Sequence, residues 1–152
     1  MTERDRQPEL VVGALLVDPR DAVFTARFAK IPGRYAVPGG HIEYGERAAD
    51  ALIRELREET NLTPTEYRLL LVHERLSPPR YGDGRHHLVY LDFLVEAWDG
   101  MLRLDGQELS DGVWLPPEEM LALPLTHTTR RLVDYYARVG RRGPADYQPD
   151  DR

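Results

Sequence analysis

The sequence predicts a layered α/β fold, and three observations lead to this expectation. Apolar stretches of strand length are interleaved along the chain with helical ones. The segment Arg47–Thr60 is rich in Ala, Leu, Arg and Glu and repeats apolar residues every three or four positions, which predicts a helix. The segment His86–Trp98 alternates apolar and polar residues, which predicts a long strand. With 152 residues, 41% of them apolar, the chain is large enough to bury a core.

Besides the long strand, two strands are predicted before this helix and one directly after it. Leu10–Asp18 and Ala22–Phe28 are apolar runs on either side of a turn sequence, and we expect them to pair with each other. Tyr67–Leu76 is again largely apolar and predicts a third strand. The turn-forming residues of Ser77–Arg85 then predict a loop.

The C-terminal third continues from the long strand in short elements. We predict short strands at Met101–Leu104 and Val113–Leu115, a short helix with proline near its start at Pro116–Leu121, and an amphipathic closing helix at Thr126–Val139. Residues 141–152 are charged and turn-forming and have little to bury. This composition predicts a disordered C-terminal tail after a single domain of residues 1–140.

Composition excludes several kinds of protein. The absence of cysteine excludes disulfides, thiolate metal sites and a cysteine nucleophile. No apolar run reaches 18 residues and no basic-then-apolar leader is present, so we expect a soluble cytoplasmic protein without membrane contact. A net charge of −6 disfavours binding to a nucleic-acid polymer. It does not disfavour a small phosphorylated substrate, because a bound metal ion reverses the local field.

Three carboxylates are predicted to project from one side of the Arg47–Thr60 helix. Glu55 precedes Glu58 and Glu59 by three and four residues, a spacing that places side chains close together. Like charges at these spacings each cost about 0.2–0.5 kcal/mol, so the arrangement suggests that a cation sits among them. Hard divalent cations such as Mg²⁺ or Mn²⁺ prefer such oxygen ligands. The alternative is an ordinary solvated face of a surface helix.

The segment from Gly40 to Leu62 resembles the Nudix box, G-x5-E-x7-R-E-U-x-E-E-x-G-U, where U is a bulky aliphatic residue. The matching residues are Gly40, Glu46, Arg54, Glu55, Leu56, Glu58, Glu59 and Leu62. One fixed position departs, because Asn61 stands where the family has glycine. Asn tolerates the left-handed conformation expected after a helix, so we interpret Asn61 as a conservative C-cap.

The resemblance implies a fold, a reaction and a set of site residues. The fold is the Nudix α/β/α sandwich with a mixed sheet, and the reaction is hydrolysis of a nucleoside diphosphate linked to another group. Mg²⁺, with Mn²⁺ as a substitute, would be held by Glu55, Glu58, Glu59 and the backbone carbonyl of Gly39. Arg54 would orient a glutamate and favour its ionised form.

The general base is less defined by the resemblance, which allows either a glutamate of the box or a carboxylate from a later loop. Glu108, in the loop Asp105–Gly112, is the best candidate outside the box, and an ordinary acidic turn residue is the alternative. Arg75, Arg80 and Tyr81 flank or occupy the earlier loop and could clamp phosphate or stack on a base, unless that loop is simply solvated. His86 and His87 are adjacent on a strand and cannot readily share one ion.

Three functions fit this sequence. The first is a Mg²⁺-dependent hydrolase of nucleoside triphosphates, because VPGGHIEYGE resembles the same segment of small triphosphate-cleaving members. The second is a hydrolase of ADP-ribose or a nucleoside diphosphate sugar, and the third is a non-catalytic nucleotide sensor. The intact set of box glutamates disfavours the sensor. The expected partner is a small nucleotide, and a homodimer is common among similar proteins.

Overall fold

The computed structural model describes residues 7–76 and 86–150. Across these residues the chain forms strands and helices in alternation. In chain order they are β1 (Glu9–Leu16), β2 (Val23–Phe28), β3 (Tyr35–Ala36), β4 (Gly39–His41), α1 (Ala48–Thr60), β5 (Thr63–Leu76), β6 (His87–Asp99), β7 (Leu109–Leu115), α2 (Pro117–Met120), α3 (His127–Val139) and β8 (Asp146–Gln148). None of the helices in these ranges is long and apolar enough to cross a membrane.

The strands form two sheets. The larger sheet has the order β4-β1-β6-β5-β8 and the smaller has the order β3-β2-β7. The larger sheet is mixed, because β1–β6 and β5–β8 are parallel pairs whereas β1–β4 and β5–β6 are antiparallel. The predicted pairing of the first two strands is wrong. β1 and β2 lie in different sheets and meet only at a bridge between Val17 and Val23.

The two faces of the larger sheet are covered by different helices. Val12, Ala14 and Leu16 of β1 pack in one apolar cluster with Leu52 and Leu56 of α1. Leu15 belongs to a second cluster with Leu132 and Tyr136 of α3. Because successive strand residues point to opposite faces, α1 and α3 lie on opposite sides of the sheet. The predicted α/β/α sandwich with a mixed sheet is therefore confirmed.

Helix α1 ends as the sequence predicts. Asn61 adopts the left-handed conformation with φ 66° and ψ 14°, and its backbone N–H donates to the carbonyl of Arg57. At the other end, Arg47 provides no side-chain hydrogen bond to the first turn. The amide side chain of Asn61 also donates to the carbonyl of Met101 at 3.1 Å. The departure from glycine at this position thus preserves the helix end.

The predicted disordered tail is wrong for residues 141–150, which are ordered. β8 pairs in parallel with β5, so that Leu71, Val72 and His73 lie opposite Asp146, Tyr147 and Gln148. Side chains of the core elements also hold this segment. Tyr135 donates its hydroxyl to the carbonyl of Pro144 at 2.5 Å, and Arg68 donates to the carbonyl of Arg141 at 2.7 Å. The backbone of the tail is therefore satisfied by partners that its own polar sequence does not indicate.

The region before α2 also differs from the prediction. Met101–Leu104 is not a strand; instead the N–H groups of Arg103 and Asp105 donate to the carbonyls of Thr60 and Glu59 at the end of α1. β7 starts at Leu109, so it includes the second half of the predicted loop Asp105–Gly112. The loop predicted at Ser77–Arg85 lies outside the described residues. The bonds from the Arg103–Asp105 segment bring the chain around Glu108 close to α1.

Candidate active site

Two carboxylates of α1 lie against the glycines of β4. The N–H of Gly39 donates to Oε1 of Glu59 at 3.0 Å. A Cβ on Gly40 would be 2.4 Å from the carboxylate of Glu55, and a Cβ on Gly39 would be 2.1 Å from the carbonyl oxygen of Val12. The contact at Gly39 is with backbone and leaves no room for a side chain, whereas a side chain at Gly40 would displace the Glu55 carboxylate from its position. The glycine pair therefore lets the backbone approach the helix and the neighbouring strand.

Burial makes these carboxylates costly to ionise. Glu59 is only 2% exposed, and its burial raises its pKa to about 9. The N–H of Gly39 opposes this shift, whereas the nearby carboxylates of Glu55 and Glu108 add to it. The pKa of Glu55 is also raised, mainly by burial, against the opposing effect of Arg54. This end of the site therefore lacks positive charge among the described groups that surround Glu59.

Arg54 joins the start of α1 to this cluster. Its guanidinium donates to both carboxylate oxygens of Glu46, at 2.8 and 2.9 Å, and to Oε1 of Glu55 at 2.8 Å. It also donates to the carbonyl of His41 at 3.0 Å. Arg54 lowers the pKa of Glu46 to about 2, so Glu46 stays ionised. The paired bonds to Glu46 fix the guanidinium, which in turn fixes Glu55.

The structure brings only some of the predicted site residues together in one cleft. Glu55, Glu59, Gly39 and Glu108 line one cleft, but Glu58 does not. The side chain of Glu58 is 61% exposed and lies 3.7 Å from Nη1 of Arg54 on the rim. Within residues 7–76 and 86–150, no three His, Asp or Glu side chains are arranged as a ready-made metal site.

The cleft has a volume of about 840 Å³, which is in the range of nucleotide-sized ligand sites. Away from the acidic cluster its walls include Arg34, Arg75, Tyr90, Asp92 and the start of α3. Arg75 therefore faces the cleft, whereas Arg80 and Tyr81, which were also candidates, lie outside the described residues. His86 and His87 contact different carboxylates, those of Glu9 and Glu74.

Sequence reasoning missed one pair in this cleft. Asp92 is 3% exposed, His73 is fully buried, and their side chains meet at 2.5 Å between Oδ2 and Nε2. A signal was present in the sequence, since Asp92 interrupts the apolar run LVYLDFLV of β6. An acidic residue inside such a run must find a buried partner. The partner is 19 residues away and could not be identified without the strand register.

One end of the cleft, which we call the acidic end, is formed by Glu55, Glu59 and Glu108. Its oxygen donors fit a hard divalent cation. Glu55 and Glu59 supply carboxylate oxygens, which such cations prefer, and Glu59 is a buried carboxylate next to two others. A cation there would favour the ionised forms of both carboxylates, against the burial and the neighbouring negative charges that raise their pKa values. Glu58 would have to turn inward from the rim to join it.

A comparison with known protein families identifies the family of this chain. The model of the NUDIX domain matches residues 7–136. The chain belongs to the Nudix family. The nucleoside triphosphatase NudI of Escherichia coli K12 is 31% identical over 105 residues, which span 66% of this chain and 74% of that protein.

Solved structures agree with this assignment. The MutT NUDIX hydrolase from Burkholderia pseudomallei is 25% identical, with a TM-score of 0.75 over 85% of this chain and 98% of that one. The ORF135 protein of E. coli is also 25% identical, with a TM-score of 0.76 over 92% of this chain and 96% of that one. The chain is therefore a Nudix hydrolase, as the box residues predict.

Proposed function

We propose that this Nudix hydrolase cleaves nucleoside triphosphates to the monophosphate and pyrophosphate in a Mg²⁺-dependent reaction. The observation that carries the proposal is the buried Glu59, which lies beside Glu55 and Glu108 at one end of a cleft of about 840 Å³. Such a cluster requires positive charge, and a phosphate chain with its cation supplies both the charge and the substrate. The similarity to a protein named nucleoside triphosphatase supports the choice of substrate.

The residues at and beside the acidic end have different roles in the proposed reaction. Glu55 and Glu59, with the carbonyl of Gly39 and with Glu58 after it turns inward, would hold Mg²⁺. When bound, Mg²⁺ neutralises the phosphates and lowers the pKa of water. Arg54 orients Glu55 through a bond of 2.8 Å and is itself held by both oxygens of Glu46. This chain of contacts keeps the carboxylates positioned before the substrate arrives.

Glu108 is the proposed general base. It lines the cleft with Glu55 and Glu59, and its carboxylate is close enough to raise the pKa of Glu59. In the reaction, water adds to one phosphorus of the α,β-anhydride while the bridging oxygen leaves with the other phosphorus. One proton of the water passes to Glu108, and pyrophosphate and the monophosphate are released.

A product assay tests this proposal. The purified protein is incubated with each common and oxidised nucleoside triphosphate, ADP-ribose, sugar nucleotides and dinucleoside polyphosphates, with Mg²⁺ and with EDTA. The expected result is a monophosphate and pyrophosphate from triphosphates, in the Mg²⁺ samples only. Cleavage confined to ADP-ribose or a sugar nucleotide would replace the proposed substrate class. The absence of turnover with every substrate would favour a nucleotide sensor.

Two variants make the assay specific to the site. Glu58→Gln should cut turnover by orders of magnitude if Glu58 joins the cation, although its side chain is on the rim. Glu66→Gln is the matched control, because Glu66 is an exposed glutamate of β5 outside the cleft. Near-normal turnover in Glu58→Gln would remove Glu58 from the ligand set. Repeating the reaction in ¹⁸O-labelled water identifies which phosphorus is attacked.

A further inference from the structure

The cleft contains a second buried carboxylate that the hydrolytic reaction does not use. Asp92 of β6 lies opposite Gly13 of β1, and Gly13 in turn lies opposite Gly39 of β4. Asp92 is therefore two strands away from β4. It lies on the face of the sheet that α3 covers, since Gly13 alternates with Val12 and Ala14, which pack against α1. Asp92 nevertheless lines the same cleft as Glu55 and Glu59, so a nucleotide with its phosphates at those carboxylates can reach it. Such a position suits contact with a base.

The surroundings of Asp92 hold its carboxylate in one place. Oδ2 meets Nε2 of His73 at 2.5 Å, and the ring of His73 is stacked on that of Tyr90 with centroids 5.1 Å apart. The other ring nitrogen of His73, Nδ1, is buried and has no partner among the described residues. The hydrogen bonding of this histidine is therefore directed at Asp92.

The strand beside Asp92 is shaped around its second oxygen. A Cβ on Gly13 would lie 2.2 Å from Oδ1 of Asp92, so only glycine leaves room for the carboxylate at this point. Gly13 is not in a left-handed conformation, so space and not backbone freedom explains this glycine. A buried carboxylate that is held by one neighbour and accommodated by another is a preorganised hydrogen-bond acceptor.

We propose that Asp92, held by His73, is a specificity-determining residue that accepts hydrogen bonds from the edge of the nucleobase. This proposal rests on the proposed triphosphate function. A carboxylate has acceptor atoms only, and after the bond to His73 it retains lone pairs on both oxygens. It therefore selects a base that presents two adjacent N–H donors. Guanine does so with N1–H and its 2-amino group, whereas uracil and thymine flank a single N–H with two carbonyls.

Hypoxanthine provides the sharpest comparison, because it differs from guanine only by the missing 2-amino group. The experiment measures kcat/KM for dGTP and dITP with Mg²⁺, with dATP, dCTP and dTTP alongside. We expect dGTP to be the best of the five and to exceed dITP at least tenfold, since a hydrogen bond to a charged group is worth roughly tenfold or more. A smaller ratio, or a preference for another base, would overturn the proposal.

Asp92→Asn separates recognition from a purely structural role. The amide has nearly the same shape as the carboxylate but can accept at one atom only, so the ratio of kcat/KM for dGTP to kcat/KM for dITP should fall at least fivefold. Glu96→Gln is the matched control, because Glu96 lies on the same strand outside the cleft and pairs with Arg141. An Asp92→Asn enzyme with an unchanged ratio, or with equal losses for both substrates, would make Asp92 structural only.

His73 acts through Asp92, so it is a positioning residue. His73→Leu removes the donor and should raise KM for dGTP more than KM for dITP with little change in kcat, whereas His73→Gln, which can still donate, should restore part of the difference. Circular dichroism and thermal unfolding establish that each variant folds. Equal changes in KM for both nucleotides would contradict the positioning role.

Equilibrium binding distinguishes failure of this inference from failure of the proposed function. Dissociation constants of GMP and IMP are measured by calorimetry on the wild-type protein and on Asp92→Asn. Tighter binding of GMP by tenfold or more, without hydrolysis of any triphosphate, would support base reading while the hydrolytic proposal fails. Hydrolysis of triphosphates without any difference between GMP and IMP would leave the hydrolytic proposal standing and overturn the role of Asp92.

Discussion

Glu59 and Asp92 are both carboxylates that lie in one cleft, 2% and 3% exposed respectively, yet the groups that surround them differ. Asp92 has the imidazole of His73 at 2.5 Å. Glu59 has one backbone N–H at 3.0 Å, and its other neighbours include two further carboxylates, which raise its pKa.

The difference bears on the role that is proposed for each residue. Asp92 carries its partner within the fold, so its geometry is complete before any ligand binds. Glu59 is placed where the protein supplies too little positive charge, so under the proposed function a cation completes its surroundings. One buried carboxylate therefore contributes to the stability of the fold, and the other reduces it in the absence of metal.

Replacement of Glu59 should give the largest change in activity. Glu59→Gln retains the bond from Gly39 but removes the charge that binds the cation, so kcat/KM should fall about 10²–10³-fold. The stabilisation of the wild-type protein by Mg²⁺ in thermal unfolding should also disappear. Activity assays and melting curves with Mg²⁺ and with EDTA measure both effects. A variant that keeps its Mg²⁺-dependent shift would show that the cation binds elsewhere.

Arg54→Lys should produce a smaller loss. Lysine keeps the positive charge but cannot bond both oxygens of Glu46 and one of Glu55 at once. Orientation of ligands by such outer contacts is worth about 10–100-fold, and we expect a fall in kcat/KM of that size. Arg57→Lys, at an outward position of the same helix, is the control. Equal activities of the two variants would contradict the orienting role of Arg54.

The comparison is most direct in the stability of the metal-free protein. Asp92→Asn should lower the free energy of unfolding by about 1.5–3 kcal/mol, because it weakens a buried hydrogen bond to a charged group. Glu59→Gln should raise it by about 0.5–2 kcal/mol, as the relief of a strained functional site does. Denaturant titration in EDTA measures both. If the free energy of unfolding changed in the same direction in both variants, the proposed difference between the two carboxylates would be contradicted.

The effect of pH follows from the raised pKa of Glu59. Its folded-state pKa of about 9 exceeds the ordinary value of 4.5, so its contribution to stability is full below pH 4.5 and is lost as pH rises toward 9. In EDTA, the free energy of unfolding of Glu59→Gln minus that of the wild type should therefore increase as pH rises from 4.5 to 9. Unfolding titrations at several pH values measure the gap. A gap that stays constant with pH would contradict the raised pKa.

The smallest expected effect is at the end of α1. Asn61→Gly should change the free energy of unfolding by only a few tenths of a kcal/mol, since glycine adopts φ 66° without strain but loses the bond to Met101. Asn61→Ala should cost about 1–2 kcal/mol, because alanine is strained in the left-handed conformation. Denaturant titrations of both variants measure the difference. Equal stabilities would show that the turn relaxes.

Local spacing explains which parts of the site could be predicted from the sequence. Glu55, Glu59 and Arg54 lie on one helix, and a helix converts sequence distance directly into direction. The same geometry explains the position of Glu58. At about 100° per residue, Glu58 points about 100° away from Glu59, which places it on the rim.

Features that depend on strand register could not be predicted. His73 and Asp92 meet because β5 pairs with β6 across several register shifts, and no local pattern encodes those shifts. The first two strands were expected to pair because they are neighbours in sequence, but β6 and β4 flank β1 instead. The tail was missed for a similar reason, since its partners, Arg68 and Tyr135, belong to distant elements.

The short outer strands of the larger sheet bear on how the protein behaves in concentrated solution. β4 and β8 each have three residues, and β5 is interrupted by bulges, so these edges offer another chain only short or irregular runs of backbone with which to pair. β8 in particular covers Leu71, Val72 and His73 of β5. A shortened form that ends before Asp146 would uncover this edge, and its tendency to aggregate would measure the protection that three residues give.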